Sequence, residues 1–190
     1  IQSIFGVGLF LETIYHAVDE NPKDAKIRIQ QAIADLNQTI RDIRAYILDL
    51  RPRQMSGEGL VDGLKRLLAE FRANTLAETA LTSPKEELND LPPTHALTLF
   101  HICQEALANA AKHANAKHVE VAVFTAADRV LMEVRDDGHG FDLEKMNLTI
   151  GHGLANMQTR ARSVGGEVDI SSTLGEGTTI LAWVPRSATR

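Results

Sequence analysis

Arg135-Asp136-Asp137-Gly138-His139-Gly140-Phe141 follows directly on the alternating apolar stretch from Val130, and its reading decides the fold. Glycines alternating with polar residues let a backbone turn sharply and approach a ligand closely. An acidic residue at a strand end can accept a hydrogen bond from an exocyclic amine. A plain turn is the competing explanation, because Asp-Gly pairs are common in turns.

Two further glycine segments lie downstream. Gly151-His152-Gly153-Leu154 opens a helix expected to run to about Val164. Free N–H groups and the dipole at a helix start favour phosphate oxygens, although a flexible hinge reads equally well. Gly175-Glu176-Gly177-Thr178-Thr179 leads into the last strand and by itself looks like a hairpin turn.

Upstream, Pro92-Pro93 starts a helix expected to reach about Ala114. Glu105, Asn109 and His113 are spaced by four and share one face, with Lys112 beside it. A carboxylate, an amide oxygen and cations on one face suit Mg²⁺ and phosphates, since Mg²⁺ takes oxygen ligands. A solvated polar face would look the same. Residues 79 to 82, 119 to 124, 130 to 135, 168 to 172 and 178 to 184 read as strands, and 59 to 75 as an amphipathic helix. Helices and strands intermix without strict alternation. The fold class expected is therefore α+β, a two-layer α/β sandwich with helices on one face of a mixed sheet.

Residues 1 to 52 follow a different pattern. Ile29, Ile33, Leu36, Ile40, Ile43, Ile47 and Leu50 are spaced 4, 3, 4, 3, 4, 3, an unbroken heptad seam. Asn21-Pro22 supplies a cap and a first-position proline, and Pro52 ends the run. Ile1, Ile4, Val7, Leu11, Ile14 and Val18 form a second stripe. Two antiparallel helices with narrow seams bury little alone, so a homodimer closing a four-helix bundle is expected. A hairpin packed on its own globular domain is the alternative.

Composition narrows the function classes. The net charge of -5, with no long basic run, argues against nucleic-acid binding through phosphate neutralisation. The single cysteine, Cys103, cannot form an internal disulfide, and its apolar neighbours point to a buried thiol in a cytoplasmic protein. The longest apolar stretch, Ile4 to Leu11, is far short of the roughly 20 residues that span a bilayer, so no membrane contact is expected. The histidines show neither HExxH nor paired Cys/His spacing, which argues against zinc. The chain starts abruptly in a helical pattern and reads as a piece of something longer, whose parent could be membrane-anchored.

Taken in order, the polar helix, two strands, Asp-x-Gly-x-Gly, Gly-x-Gly-Leu, a helix and Gly-x-Gly-Thr resemble the gyrase and histidine-kinase ATPase superfamily, with its N, G1, G2 and G3 boxes. Each box is weak, but four in the right order over residues 57 to 185 are specific. Gln104-Glu105-Ala106-Leu107 with Asn109, the DDGHGF run and Leu48-Asp49-Leu50-Arg51-Pro52 resemble the nitrate-sensor branch of bacterial sensor histidine kinases. The resemblance implies a Bergerat-type ATP-binding fold over 53–190, behind a dimerisation and phosphotransfer stem over 1–52.

It also implies roles. Asp136 would bind the adenine amine and Thr178 support it. Asn109 would ligate Mg²⁺ with Glu105 nearby, and Lys112 and His113 would approach the phosphates of ATP. Gly138, Gly140, Gly151, Gly153 and Leu154 would shape the pocket and its lid. Gln2 would position a water for dephosphorylating a response-regulator receiver domain. In that branch the phospho-accepting histidine would lie four positions before Ile1, so this chain is expected to lack it and not to autophosphorylate. His16 lacks the adjacent acid and is rejected. Two competitors remain: another ATPase of the superfamily, and a dimerisation scaffold with a degenerate pocket.

Overall fold

The computed structural model describes residues 2–17, 21–50, 59–84, 88, 90–126, 128–142 and 152–187. The chain divides into two compact units, Ile1–Leu50 and Arg51–Arg190. In the first, helices α1 (Gln2–Ala17) and α2 (Pro22–Leu50) pack against each other. Asn21 caps α2, its side-chain oxygen accepting from the Asp24 N–H at 3.3 Å. Ile14, Ala25 and Ala32 are buried. Four residues of the heptad seam are not: Ile29, Ile33, Ile40 and Ile43 remain 38%, 53%, 40% and 43% exposed.

The second unit is a two-layer α+β fold. Five strands, β1 (Glu78–Thr82), β2 (His118–Thr125), β3 (Arg129–Asp136), β4 (Glu167–Thr173) and β5 (Gly177–Pro185), form one sheet in the order β1-β2-β3-β5-β4. Only β1 and β2 are parallel, and their crossover carries helix α4 (Pro93–Asn109). Alternation sends Val119, Val121, Val123, Val130, Met132, Val134, Ile180, Ala182 and Val184 to one buried face. Glu120, Arg135, Asp169 and Ser171 stay exposed on the other, where the Arg129 guanidinium lies 4.4 Å from the centre of the Trp183 ring.

Helices α3 (Leu60–Thr75), α4 and α5 (His152–Ser163) cover the apolar face. On α3, Leu60, Leu64, Leu67, Leu68 and Phe71 fall on one helical stripe and are buried, each such side chain contributing about 1.5–3 kcal/mol of burial. Pro93 occupies the first position of α4, where its missing N–H has no partner to lose. Cys103, buried on α4, is an inert thiol whose pKa burial pushes up to about 12.

One element differs from the sequence expectation. The helix expected to reach Ala114 is α-helical only to Asn109 and widens into a π-helical turn over Ala110–Ala114, closed by Asn115 in the left-handed conformation. Lys112 and His113 ride on this wider turn. Such turns are rare and recur at functional sites.

Candidate nucleotide site

The cleft of the second unit forms where β3 ends. Asp136, the last residue of this central strand, pairs with Val119 on β2 and Thr178 on β5. It is buried at 8% exposure, and loss of water around the carboxylate pushes its pKa up. Hydrogen bonds oppose that shift: the Gly138 N–H donates to Oδ1 at 2.9 Å, and Thr178 donates as well. Every one of these partners is a donor, which suits an acceptor-only carboxylate.

A cavity of about 560 Å³ opens in front of Asp136. Its other walls carry Glu105 and Asn109 from α4, Lys112 and His113 from the π-helical turn, and Gly153 and Leu154 from α5. Gly140, Phe141, Thr178 and Ile180 complete it, and Ala106, Ala110 and Ala114 line the helix side with small side chains. Nine residues that the sequence singles out thus face one cleft: Glu105, Asn109, Lys112, His113, Asp136, Gly140, Gly153, Leu154 and Thr178. Gly138 does not line it; this glycine lies behind Asp136 against Ala114. Gly151 and the side chain of Gln2 lie outside the described residues.

Close approach constrains two glycines to different degrees. A Cβ at Gly153 would meet the Glu105 carboxylate, the far end of a flexible side chain that can turn aside. Gly177 has φ +90, and a Cβ there would overlap the Asp136 carbonyl.

Asp137 does different work from its neighbour. Its Oδ1 accepts from the N–H groups of Lys117 and His118 at 2.7 and 2.9 Å, and its Oδ2 lies 2.6 Å from His118 Nδ1. The Glu78 carboxylate is 3.5 Å from the other ring nitrogen. Asp137 therefore ties the glycine loop to the start of β2. Nothing in the DDGHGF run distinguishes this clamp from the cleft-facing carboxylate; the signal was a histidine nineteen residues before Asp137, at a strand start.

The hydrogen bond to Asp137 raises the His118 pKa, with Glu78 adding and Lys117 opposing. Partial burial disfavours the Asp137 charge, but the His118 side chain and the two N–H donors outweigh it and bring its pKa down to about 2. A raised histidine stabilises the fold below its unfolded pKa of about 6.5 and loses that contribution as pH climbs through the folded value. A depressed aspartate stabilises above about pH 3.9 and loses its contribution as pH falls towards the folded value. The pair is at full strength between about pH 4 and 6.5. His118→Asn should therefore lower the unfolding temperature more at about pH 5.5 than at about pH 8.5. An equal loss at both would contradict this assignment.

The sequence comparison decides the family. Residues 94–188 match the family described as histidine kinase-, DNA gyrase B-, and HSP90-like ATPase. The chain belongs to that family. The match covers α4, the π-helical turn, the glycine segments and all strands except β1. Relatives of this ATPase domain include the sensor histidine kinase MctS of Rhizobium johnstonii, 34% identical over 100% of this chain and 41% of that protein. The sensor histidine kinase LiaS of Bacillus subtilis is 30% identical over 97% of the chain and 50% of its own length. The chain thus spans half or less of these two relatives.

Among solved structures, the histidine kinase domain of the blue-light activated kinase from Erythrobacter litoralis EL346 superposes with TM-score 0.57 at 16% identity. The superposition covers 97% of this chain and 94% of that one. The mycobacterial sensor histidine kinase MprB gives 0.53 at 18%, covering 70% and 97%. At these identities the likeness is one of fold.

Among the described residues no group of three or more His, Cys, Asp or Glu could cage a metal. Mg²⁺ needs no such cage, because with nucleotides it is held by phosphates and one or two protein oxygens. Glu105 and Asn109, both on the cleft wall, supply oxygen donors of that kind. No helix among the described residues is long and apolar enough to cross a membrane.

Proposed function

We propose that this chain is the ATP-binding catalytic part of a bacterial sensor histidine kinase, one that phosphorylates a histidine and passes the phosphoryl group to a response regulator. The observation that carries this reading is a buried carboxylate, Asp136, at the end of the central strand, facing a cleft whose opposite wall bears Glu105, Asn109 and Lys112. The matching relatives named as sensor histidine kinases support it.

The division of labour follows from position. Asp136 accepts the exocyclic amine of adenine, which selects ATP over GTP because a guanine carbonyl would face the carboxylate. Thr178 orients Asp136. Lys112 and His113 approach the phosphates, and Gly153 with Leu154 brings the start of α5 over them. Asn109 and Glu105 hold Mg²⁺, which when bound neutralises phosphate charge. Catalysis then rests on positioning and electrostatics rather than on a covalent intermediate in this domain.

The first unit acts in this proposal as a dimerisation stem, with the exposed isoleucines of α2 meeting a second copy and Gln2 serving dephosphorylation of the regulator. The LDLRP and DDGHGF runs favour the nitrate-sensor-like branch. The lone buried cysteine and the need for ATP favour the cytoplasm.

Metal dependence tests the site. Mg²⁺ should strengthen ATP binding to the wild-type chain, and Asn109→Ala should reduce that gain about tenfold or more, the scale on which metal-site partners act. An undiminished Mg²⁺ effect in the variant would remove Asn109 from the role.

A further inference from the structure

The C-terminal end of the π-helical turn is docked onto the first glycine loop. The His139 N–H donates to the Ala114 carbonyl at 2.8 Å. Gly138 lies against Ala114 so closely that a Cβ there would overlap the Ala114 carbonyl. Just beyond, Asp137 Oδ1 accepts from the N–H groups of Lys117 and His118 at 2.7 and 2.9 Å. Between these ties the chain passes through Asn115, whose left-handed backbone closes the turn.

The protons of this clamp balance. Oδ1 takes one main-chain N–H on each of its lone pairs, and Oδ2 lies 2.6 Å from His118 Nδ1, which can donate to it. Lys112 and His113 immediately precede Ala114 and line the cleft. No residue in Ala110–Ala114 demands a π-helical turn by itself, and such turns are rare. The wider form is therefore set by where its end is held. The base end of the cleft has separate supports: Asp136 pairs with Val119 and Thr178 along the strands, and the Gly138 N–H donates to its Oδ1 at 2.9 Å.

We propose that Asp137 is a positioning residue for the phosphate end of the site: by holding the Lys117 and His118 N–H groups, it fixes the end of the π-helical turn and so the placement of Lys112 and His113 in the cleft. The proposal rests on the nucleotide-site reading above and deepens it. Asp137 touches no nucleotide atom in this scheme. Its contribution should appear in affinity for the phosphates and not in affinity for the base.

The test compares ATP with adenosine, which keeps the base and ribose but has no phosphate, in equilibrium titrations of the whole chain with Mg²⁺ at about pH 8, above the ordinary histidine pKa. Wild type should prefer ATP. Asp137→Ala should shrink that preference about fivefold to tenfold, the size of one hydrogen bond, while barely changing affinity for adenosine. Loss of a negative charge alone would favour the phosphates and move the preference the other way. The sign thus separates positioning from charge. Asp137→Asn keeps an oxygen for both N–H groups, and its amide can donate to a neutral His118 Nδ1, so it should retain the preference. Thermal unfolding shows whether each variant is folded at the titration temperature. If alanine is not, Asp137→Glu replaces it: the charge stays, the carboxylate shifts by one methylene from the two N–H groups, and the same shrinkage is expected.

An equal loss for ATP and adenosine would mark a merely structural carboxylate and overturn the proposal. So would an unchanged or enlarged preference, or an Asp137→Asn that folds yet behaves like alanine. Failure of the parent reading looks different: the wild-type chain itself would bind ATP no better than adenosine.

Discussion

Asp136→Asn is expected to weaken binding of Mg²⁺-ATP by about tenfold to a hundredfold while leaving the fold intact, because a hydrogen bond to a charged group contributes about 1.5–3 kcal/mol. Asparagine keeps the size of the side chain. Its amide oxygen can still accept from the Gly138 N–H, which now meets Oδ1 at 2.9 Å. What changes is the atom turned to the cleft: an NH₂ group replaces an acceptor and faces the adenine amine donor to donor.

Stability should move the other way, if at all. Burial raises the Asp136 pKa, so the carboxyl favours the fold most when protonated, and that contribution fades as pH rises through the folded value. At neutral pH the uncharged asparagine escapes this cost. The variant should therefore unfold no earlier than wild type. Isothermal titration beside a thermal melt checks both halves; loss of binding together with early melting would mean that Asp136 serves the fold rather than the ligand.

The second large effect belongs to the first unit. Ile33→Asp combined with Ile40→Asp should convert a dimer to a monomer. These side chains are 53% and 40% exposed in the single chain, and they repeat on the seam with Ile29 and Ile43. A twofold bundle buries each of them twice. At about 1.5 kcal/mol for each side chain lost, the pair would weaken association by about 6 kcal/mol, or about ten-thousandfold. Sedimentation equilibrium reads the change directly. A wild-type chain that is monomeric at high concentration, or a double variant that stays dimeric, would contradict the bundle. ATP affinity should be unaffected, since the nucleotide cleft is built wholly from the second unit.

Where one physical signal dominates, the sequence was legible. Period-two alternation placed β2, β3, β4 and β5 within about two residues, because one face of the sheet is buried and the other is not. The helical stripe of Leu60, Leu64, Leu67, Leu68 and Phe71 located α3 for the same reason. Glycine-rich segments flagged the cleft because close backbone approach excludes a Cβ, as Gly140 and Gly177 demonstrate.

Other features were hidden because they depend on contacts across the fold. The widened turn at Ala110–Ala114 has the composition of a good α-helix, and only tertiary packing distinguishes it. Adjacent aspartates carry no mark of which one faces the cleft; strand register sends Asp136 inward and leaves Asp137 to clamp Lys117 and His118. Ser172 looks like any strand serine until β4 and β5 pair and bring it to Thr178. The alanines at 106, 110 and 114 did carry a signal, since small residues repeat there every four positions, making room beside the helix.

Calorimetric titration of ATP with Mg²⁺ into the wild-type chain tests the central claim most directly. The account predicts saturable binding of one nucleotide per chain, competed by ADP and poorly by GTP. A flat titration under conditions where the chain is folded would contradict it and leave a scaffold with a degenerate pocket.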